Sequence, residues 1–338
     1  MGRKLKVINA SESSPLISKT GFKGYDYCTN PYVGCGFGCS FCYVRFFIKD
    51  PEHSWGDFVR VRKHVFTKLT KELKKPQRAP HVLKTNRNGK EYKSPGHIIK
   101  KLDGTNELLY AGKRLVIGTM TDPYQPIERK NRITRQLLNK LLDTPVFNKV
   151  GIFTRSPIIL EDLELIKKLP RARVHYSISP FPKEAMRKLE PLAIQTSRRL
   201  DTIRKLKEAG LRVHVNIAPA IPYYSEEMTE QLAQDLGKIG VDEFFVDPVQ
   251  PYNEAFKRMT ECMENDPNWT YSSSIMSDKA AYLEWKQRYW DAWKEAWSQH
   301  GSKNTLAIWS DHENHVWRKL ISGEEMNPAM YGDDLAQD

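Results

Sequence analysis

The chain has 338 residues, 40% of them hydrophobic and 28% charged, with 19 Gly and 20 Pro. That composition excludes collagen-like and wholly disordered classes and is long enough to bury a full core. The formal net charge is +12, and no apolar run approaches the roughly 18 residues that a membrane span needs.

The first residues, Met1 to Lys6, are basic with no apolar segment behind them, so no secretory signal is expected and the protein is expected to be cytoplasmic. Five cysteines in such a chain read as metal or catalytic groups before they read as a disulfide framework. Residues 1–24 form a leader, and a first strand is expected near 25–30. Directly after it comes NPYVGCGFGCSFCY (30–43), with Cys35, Cys39 and Cys42 at C-x3-C-x2-C on a glycine-rich loop. Short spacings bring three thiolates round one metal centre, and glycines let the backbone fold beneath them. An iron–sulfur cube held by three protein thiolates keeps one iron open, whereas a structural zinc site wants four ligands. Cys28 would complete such a set of four.

Residues 60–101 hold 14 Lys/Arg against Glu72 and Glu91, an excess equal to the net charge of the whole chain. A field of that strength attracts polyanions, phosphate backbones above all, although charge runs also serve as plain solvated surface. Within it, 76–112 is rich in Lys, Asn, Pro and Gly, has no periodicity, and reads as an insertion. Strands are then expected at 114–122, 149–155, 173–179, 211–218 and 241–246. Helices alternate with them at 133–142, 160–168, 183–189 and 196–209, and between a cap at Ser225 and a stop at Gly240. Six β/α units imply a parallel sheet with right-handed crossovers, either doubly wound or a full or partial barrel. Chemistry in either belongs at the carboxyl ends of the strands. The polar residues there are Thr119, Thr121 and Asp122, then Thr154, Arg155 and Ser156, then Ser177, Ser179, Asn216 and Asp247. After 251 the chain turns helical and Trp-rich. Trp285, Tyr289, Trp293 and Trp297 recur every four residues on a helix expected to be capped at Ser277, and such a stripe reads as a core or docking face, with a stacking platform for bases the alternative.

The cysteine segment resembles the C-x3-C-x-aromatic-C signature of radical S-adenosylmethionine enzymes. The wider order resembles one branch of them, the spore-photoproduct-lyase-like proteins. The stretches that carry this are NPYVGCGFGCSFCY (30–43), VIGTMTDPYQPIE (116–128), FTRSPIILEDLELIKKL (153–169), SISPFPKEAMRKLEPLAIQTSRRLDTIRKLKEAGL (177–211) and VNIAPAIP (215–222). The resemblance implies an α/β fold, a partial (β/α)6 TIM-type barrel over 25–250, with a basic insertion at 76–112 and a helical C-terminal extension at 251–338. It implies a 4Fe–4S cluster on Cys35, Cys39 and Cys42, S-adenosylmethionine at the open iron, and a reductant such as flavodoxin or ferredoxin. The reaction implied is reductive cleavage to a 5′-deoxyadenosyl radical that takes a hydrogen atom from a substrate.

By position, Phe41 is expected beside the adenine. Thr119, Thr121 and Asp122 stand where members hold the methionine amino group. Ser177 and Ser179 match positions near the ribose and carboxylate, Ile217 and Ala218 a backbone contact to adenine, and Tyr43 an assisting tyrosine. Glu190 and Arg198 match a glutamate and an arginine expected to form a salt bridge over the cofactor pocket. Basic charge and branch together favour a nucleic-acid substrate or partner. In the enzyme that names the branch, a cysteine downstream of the cluster motif returns a hydrogen atom, helped by tyrosines on both sides of the last cluster cysteine. This sequence has Phe41 before that cysteine and no cysteine between Cys42 and Cys262, so the relay looks incomplete unless Cys28 or Cys262 replaces the donor. The non-enzyme alternative is a zinc-bearing, basic nucleic-acid-binding protein.

Overall fold

β-Branched runs separated by amphipathic stretches fold into seven parallel strands in the computed structural model, which describes residues 5–10, 15–48, 50–62, 65–192, 194–251, 254–311 and 316–326. The strands are β1 (Tyr27–Thr29), β2 (Arg114–Ile117), β3 (Lys149–Thr154), β4 (Arg173–Ile178), β5 (Arg212–Ala220), β6 (Glu243–Pro248) and β7 (Leu306–Asp311). They lie side by side in chain order, every neighbouring pair parallel. An unreversed order is the winding of a barrel, since a doubly wound sheet reverses at a switch point. The sheet stays open. Ile17–Lys19 pairs antiparallel with β1 at one edge, and Val316–Lys319 followed by Glu325–Met326 does so beyond β7 at the other.

The helices that cover the sheet include α1 (Ile133–Asp143), α2 (Lys183–Leu189), α3 (Thr196–Glu208), α4 (Thr229–Ile239) and α5 (Lys279–His300). Alternation along the strands decides which side chains meet them. Ile117, Ile152, Val174, Val215, Ile217 and Val246 point outward into one core with Leu137 and Leu141 of α1, Ile203 and Leu206 of α3, and Leu232 and Leu236 of α4. Each such side chain contributes about 1.5–3 kcal/mol on full burial.

Two segments differ from the sequence-based expectation. The stretch after 251 is helical as expected, and β7 then adds a seventh parallel strand to the sheet. The stripe on α5 is core: Trp285, Tyr289, Trp293 and Trp297 are all buried, and Phe244 of β6 meets Trp297 at 4.5 Å and Trp293 at 5.5 Å. The cap of α5 is Asp278 and not Ser277, its carboxylate accepting the Ala281 amide at 2.8 Å. Likewise the insertion at 76–112 is folded. Val82–Thr85 and Glu91–Ser94 form an antiparallel ribbon, with isolated bridges Pro76 to Leu108, Arg78 to Ile98 and Lys100 to Asn106 at its root. The leader is tied down too, since Lys6–Ala10 pairs parallel with Phe58–Arg62, which pairs antiparallel with Tyr32–Val33.

On the inner face of the sheet, Phe153 stacks on His175 at 4.3 Å and His175 lies 5.2 Å from His214. At the amino ends of the strands, Glu243 accepts His214 Nδ1 at 3.0 Å, Arg212 at 2.7 Å and Arg173 at 3.2 Å. This polar plug closes the end of the sheet opposite the cysteine loop.

Candidate active site

Cys35, Cys39 and Cys42 lie between Tyr32–Val33 and a 3-10 turn at Tyr43–Phe46, beyond the carboxyl end of β1. Glycine is required beneath them. Gly34 has φ +87°, and a Cβ there would lie 2.5 Å from the Phe58 carbonyl oxygen. Gln125 clamps the loop, its Oε1 accepting the Gly36 amide at 2.7 Å and its Nε2 donating to the Gly34 carbonyl at 3.3 Å. The Ser40 amide ties the other side to the Leu189 carbonyl of α2 at 2.9 Å.

Burial, with the Asp122 charge second, pushes the Cys35 thiol up to about 12, and burial raises Cys39 and Cys42 as well. The Cys42 sulfur adds to the shifts of both Cys35 and Cys39, and the Cys35 sulfur to that of Cys39, so the three share one electrostatic environment. N–H donors are aimed at each: the Asp122 and Phe37 amides at Cys35, and the Val44 amide and Trp55 indole at Cys42. Arg155 Nη1 is 3.2 Å from Cys39 Sγ. Enclosed thiols that gain donors only as thiolates are suited to a metal that keeps them deprotonated. Among the described residues no three His, Cys, Asp or Glu side chains come close enough to hold a single ion. A cube spreads its thiolates over different irons and tolerates wider spacing than one tetrahedral ion. Three thiols on one loop are the donor set that a cube takes while leaving one iron open. Cys28 stands apart on β1, its Sγ 3.4 Å from Ser18 Oγ.

A buried ionic chain runs from the loop to α3. Arg155 Nη1 donates to Glu190 Oε1 at 2.7 Å, and Arg199 and the Ser179 hydroxyl donate to the same carboxylate. Burial opposes ionisation of Glu190, yet Arg199 and Arg155 outweigh it and hold the carboxyl below its usual range. The partner in this pair is Arg199, not the expected Arg198: Arg199 is buried on the inner face of α3 while Arg198 is exposed.

Phe41 is half-buried, edge-on to Phe181 at 5.9 Å, with the Arg155 guanidinium 5.8 Å from its ring centre. Tyr43 leaves half its surface open but turns its hydroxyl inward, donating to the Thr119 carbonyl at 2.7 Å. Burial, then the Cys42 and Cys28 sulfurs, push that phenol up to about 12. The Thr121 hydroxyl is spent on the Tyr32 carbonyl at 3.4 Å. Asp122 is spent too: Oδ1 accepts the Thr154 hydroxyl at 2.7 Å and the Tyr124 amide at 2.8 Å, and Oδ2 accepts the Arg155 amide at 2.9 Å. It clamps the end of β2 to the end of β3. Ser177 is half-buried beside Asn216 on the next strand, and Ser179 Oγ is 3.4 Å from the Ala218 carbonyl. The Ile217 side chain lies in the outer core, so only its backbone faces the strand ends. Arg155 and Trp55 are what sequence reasoning missed as partners of the cysteines. Arg155 was legible only as a polar strand end, and Trp55 carried no pattern.

Residues 29–236 match the radical SAM superfamily, from the end of β1 through the cysteine loop to α4. The chain belongs to that superfamily. Relatives of this chain include an uncharacterized protein of Methanocaldococcus jannaschii, 27% identical over 66% of this chain and 70% of the relative. An uncharacterized protein of Acidianus two-tailed virus is 27% identical over 63% and 64%, and one of Mycobacterium bovis is 25% identical over 64% and 55%. Among solved structures, a spore photoproduct lyase variant with dinucleoside spore photoproduct superposes with TM-score 0.58 at 13% identity, covering 90% of this chain and 82% of that one. Another variant, with bound AdoMet and the same dinucleoside, gives 0.56 at 14% identity over 89% and 81%. These similarities establish the TIM-type radical SAM fold with an open sheet. Among the described residues no helix is long and apolar enough to cross a membrane.

Proposed function

We propose that this chain is a radical S-adenosylmethionine enzyme acting on a nucleic acid, with a 4Fe–4S cluster held by Cys35, Cys39 and Cys42. The observation that carries this reading is the set of N–H donors aimed at one buried and two half-buried sulfurs, with Arg155 on Cys39 and the Asp122 amide on Cys35. Superfamily membership supplies the chemistry: a reduced cluster cleaves bound S-adenosylmethionine, and the resulting 5′-deoxyadenosyl radical takes a hydrogen atom from the substrate. An electron donor of the flavodoxin or ferredoxin class is needed to reduce the cluster.

The chain's own residues orient and enclose. Phe41 offers an apolar wall for the adenine beside the loop. Ser177 remains available to a ribose or carboxylate at the end of β4, and the Ile217 and Ala218 backbone to the adenine edge. Thr119 and Thr121 shape the loop after β2 and Asp122 braces it. The methionine amino group would then meet backbone carbonyls here and not the Asp122 carboxylate. The basic charge of 60–101 supports the nucleic-acid substrate class.

Cys35→Ala, Cys39→Ala and Cys42→Ala should each lose iron and the brown colour of the anaerobically reconstituted protein, while Cys28→Ala and Cys262→Ala keep both. Stoichiometric zinc in a colourless protein, or loss of iron in Cys28→Ala, would return the four-cysteine zinc site and its non-enzyme reading.

Repair of a thymine photoproduct is a second reading, favoured by the coupling of Tyr43 to Cys28 as well as Cys42. On that reading the buried Cys28 thiol is the hydrogen-atom donor that the stretch after Cys42 lacks. On this reading Cys28→Ala retains the cluster and basal cofactor cleavage but fails to complete repair of a dinucleoside photoproduct.

A further inference from the structure

The ribbon Val82–Thr85 and Glu91–Ser94 is built to stand alone. Its turn is closed by Asn86, whose Oδ1 accepts the amides of Asn88 at 3.0 Å and Lys90 at 2.9 Å, and by Gly89 at φ +76°. Every described residue from 83 to 93 is exposed, so neither face packs on the body of the protein. A two-stranded ribbon wet on both faces is marginal in water, and this one also presents Leu83 and Tyr92, 65% and 49% exposed. It has surface to bury, and none of the described residues covers it.

The charge on the ribbon says what covers it. Lys84, Arg87, Lys90 and Lys93 face a single acid, Glu91, and none of the four forms an ion pair among the described residues. Lys84 pairs directly with Tyr92, so the two share a face, and Lys90 follows the turn just before the return strand. Glu91 pairs with Thr85 and falls on the other face. Tyr92 thus shares its face with Lys84 and not with Glu91. An exposed ring beside basic side chains is the arrangement that stacks an unpaired base while its neighbouring phosphates are neutralised. Bases in a closed duplex are already stacked on their neighbours and leave no face for Tyr92, so a single strand is the favoured occupant.

We propose that this ribbon is a docking arm for single-stranded nucleic acid, with Tyr92 the stacking residue and Lys84, Arg87, Lys90 and Lys93 the phosphate contacts. The proposal rests on the nucleic-acid reading above only for its biological setting, because binding is measurable without turnover. The arm's root enters the amino end of β2, whereas the cysteine loop follows the carboxyl end of β1. It therefore holds the strand away from the reacting nucleotide and acts on KM, not on the chemical step.

The test uses the full, cluster-loaded chain and a fluorescent oligothymidylate, single-stranded or annealed to its complement, followed by anisotropy over a salt series. Tyr92→Ala should weaken single-strand binding about tenfold. Changing Lys84, Arg87, Lys90 and Lys93 together to Gln should flatten the log–log salt slope by up to about 3 units, at about 0.7 per phosphate. Both variants should keep the wild-type melting temperature and the wild-type rate of S-adenosylmethionine cleavage without nucleic acid. Unchanged affinity and slope in both variants would overturn the arm, as would a wild type that prefers duplex and ignores Tyr92→Ala. A wild type that cleaves the cofactor but binds neither probe overturns the arm and the nucleic-acid substrate, and leaves the radical chemistry standing. Tyr92-dependent binding by a protein that never cleaves the cofactor supports the arm and sinks the enzyme reading.

Discussion

Arg155 joins the cysteine loop to the ionic chain behind it, and its charge is the feature most sensitive to a cluster. Burial works against that charge, but the Cys39 and Glu190 partners more than offset it and raise its pKa. A cation and N–H donor on a cluster sulfur favours the reduced, more negative state. Arg155→Gln should therefore lower the reduction potential, shifting the one-electron equilibrium about tenfold, or about 59 mV. Arg155→Lys, which restores charge without the planar fork, should recover part of that shift. Potentiometric titration followed by electron paramagnetic resonance reads both, and an unchanged potential in Arg155→Gln would leave the residue a structural brace for Glu190. The sequence made the cysteines legible because their ligand spacing is local. It could not say which strand-end groups serve them. Asp122 and Thr154 are 32 positions apart and Arg155 and Cys39 116 apart, and those pairings exist only once the strands align.

The strands were legible from the period-two alternation of β-branched residues, and their outer faces follow directly from it. The inner faces of β4, β5 and β6 also alternate, but with Arg173, His175, Arg212, His214 and Glu243. Polar residues at buried positions weaken a hydrophobic pattern, so the plug they form was not anticipated. Burial raises the Glu243 carboxyl, but His214, Arg173 and Arg212 outweigh it and bring it down to about 2 from an ordinary 4.5. A depressed carboxylate stabilises the fold fully above its unfolded value and loses that contribution as pH falls from about 4.5 to about 2. The contribution is on the order of 3 kcal/mol. Glu243→Gln should destabilise the protein at neutral pH and remove this part of the acid dependence. Urea denaturation at a series of pH values measures it, and parallel wild-type and variant curves between pH 2 and 4.5 would contradict the assignment.

At the scale of the molecule, six β/α units and the carboxyl-end location of the site were readable because consecutive units repeat the same alternation. The seventh strand was not, since β7 is six residues long and follows a 22-residue helix whose Trp stripe reads equally as a docking face. The charge of the insertion was readable but its fold was not, because a ribbon wet on both faces carries no hydrophobic period. What unites these parts is one claim, that the loop after β1 holds a cluster that reductively cleaves S-adenosylmethionine. The direct measurement is anaerobic incubation of the iron-loaded protein with dithionite and S-adenosylmethionine, with chromatographic detection of 5′-deoxyadenosine. The account predicts 5′-deoxyadenosine and methionine in equal amounts, absent in Cys39→Ala. A fully loaded, reduced cluster that yields no 5′-deoxyadenosine, with or without nucleic acid, would contradict it.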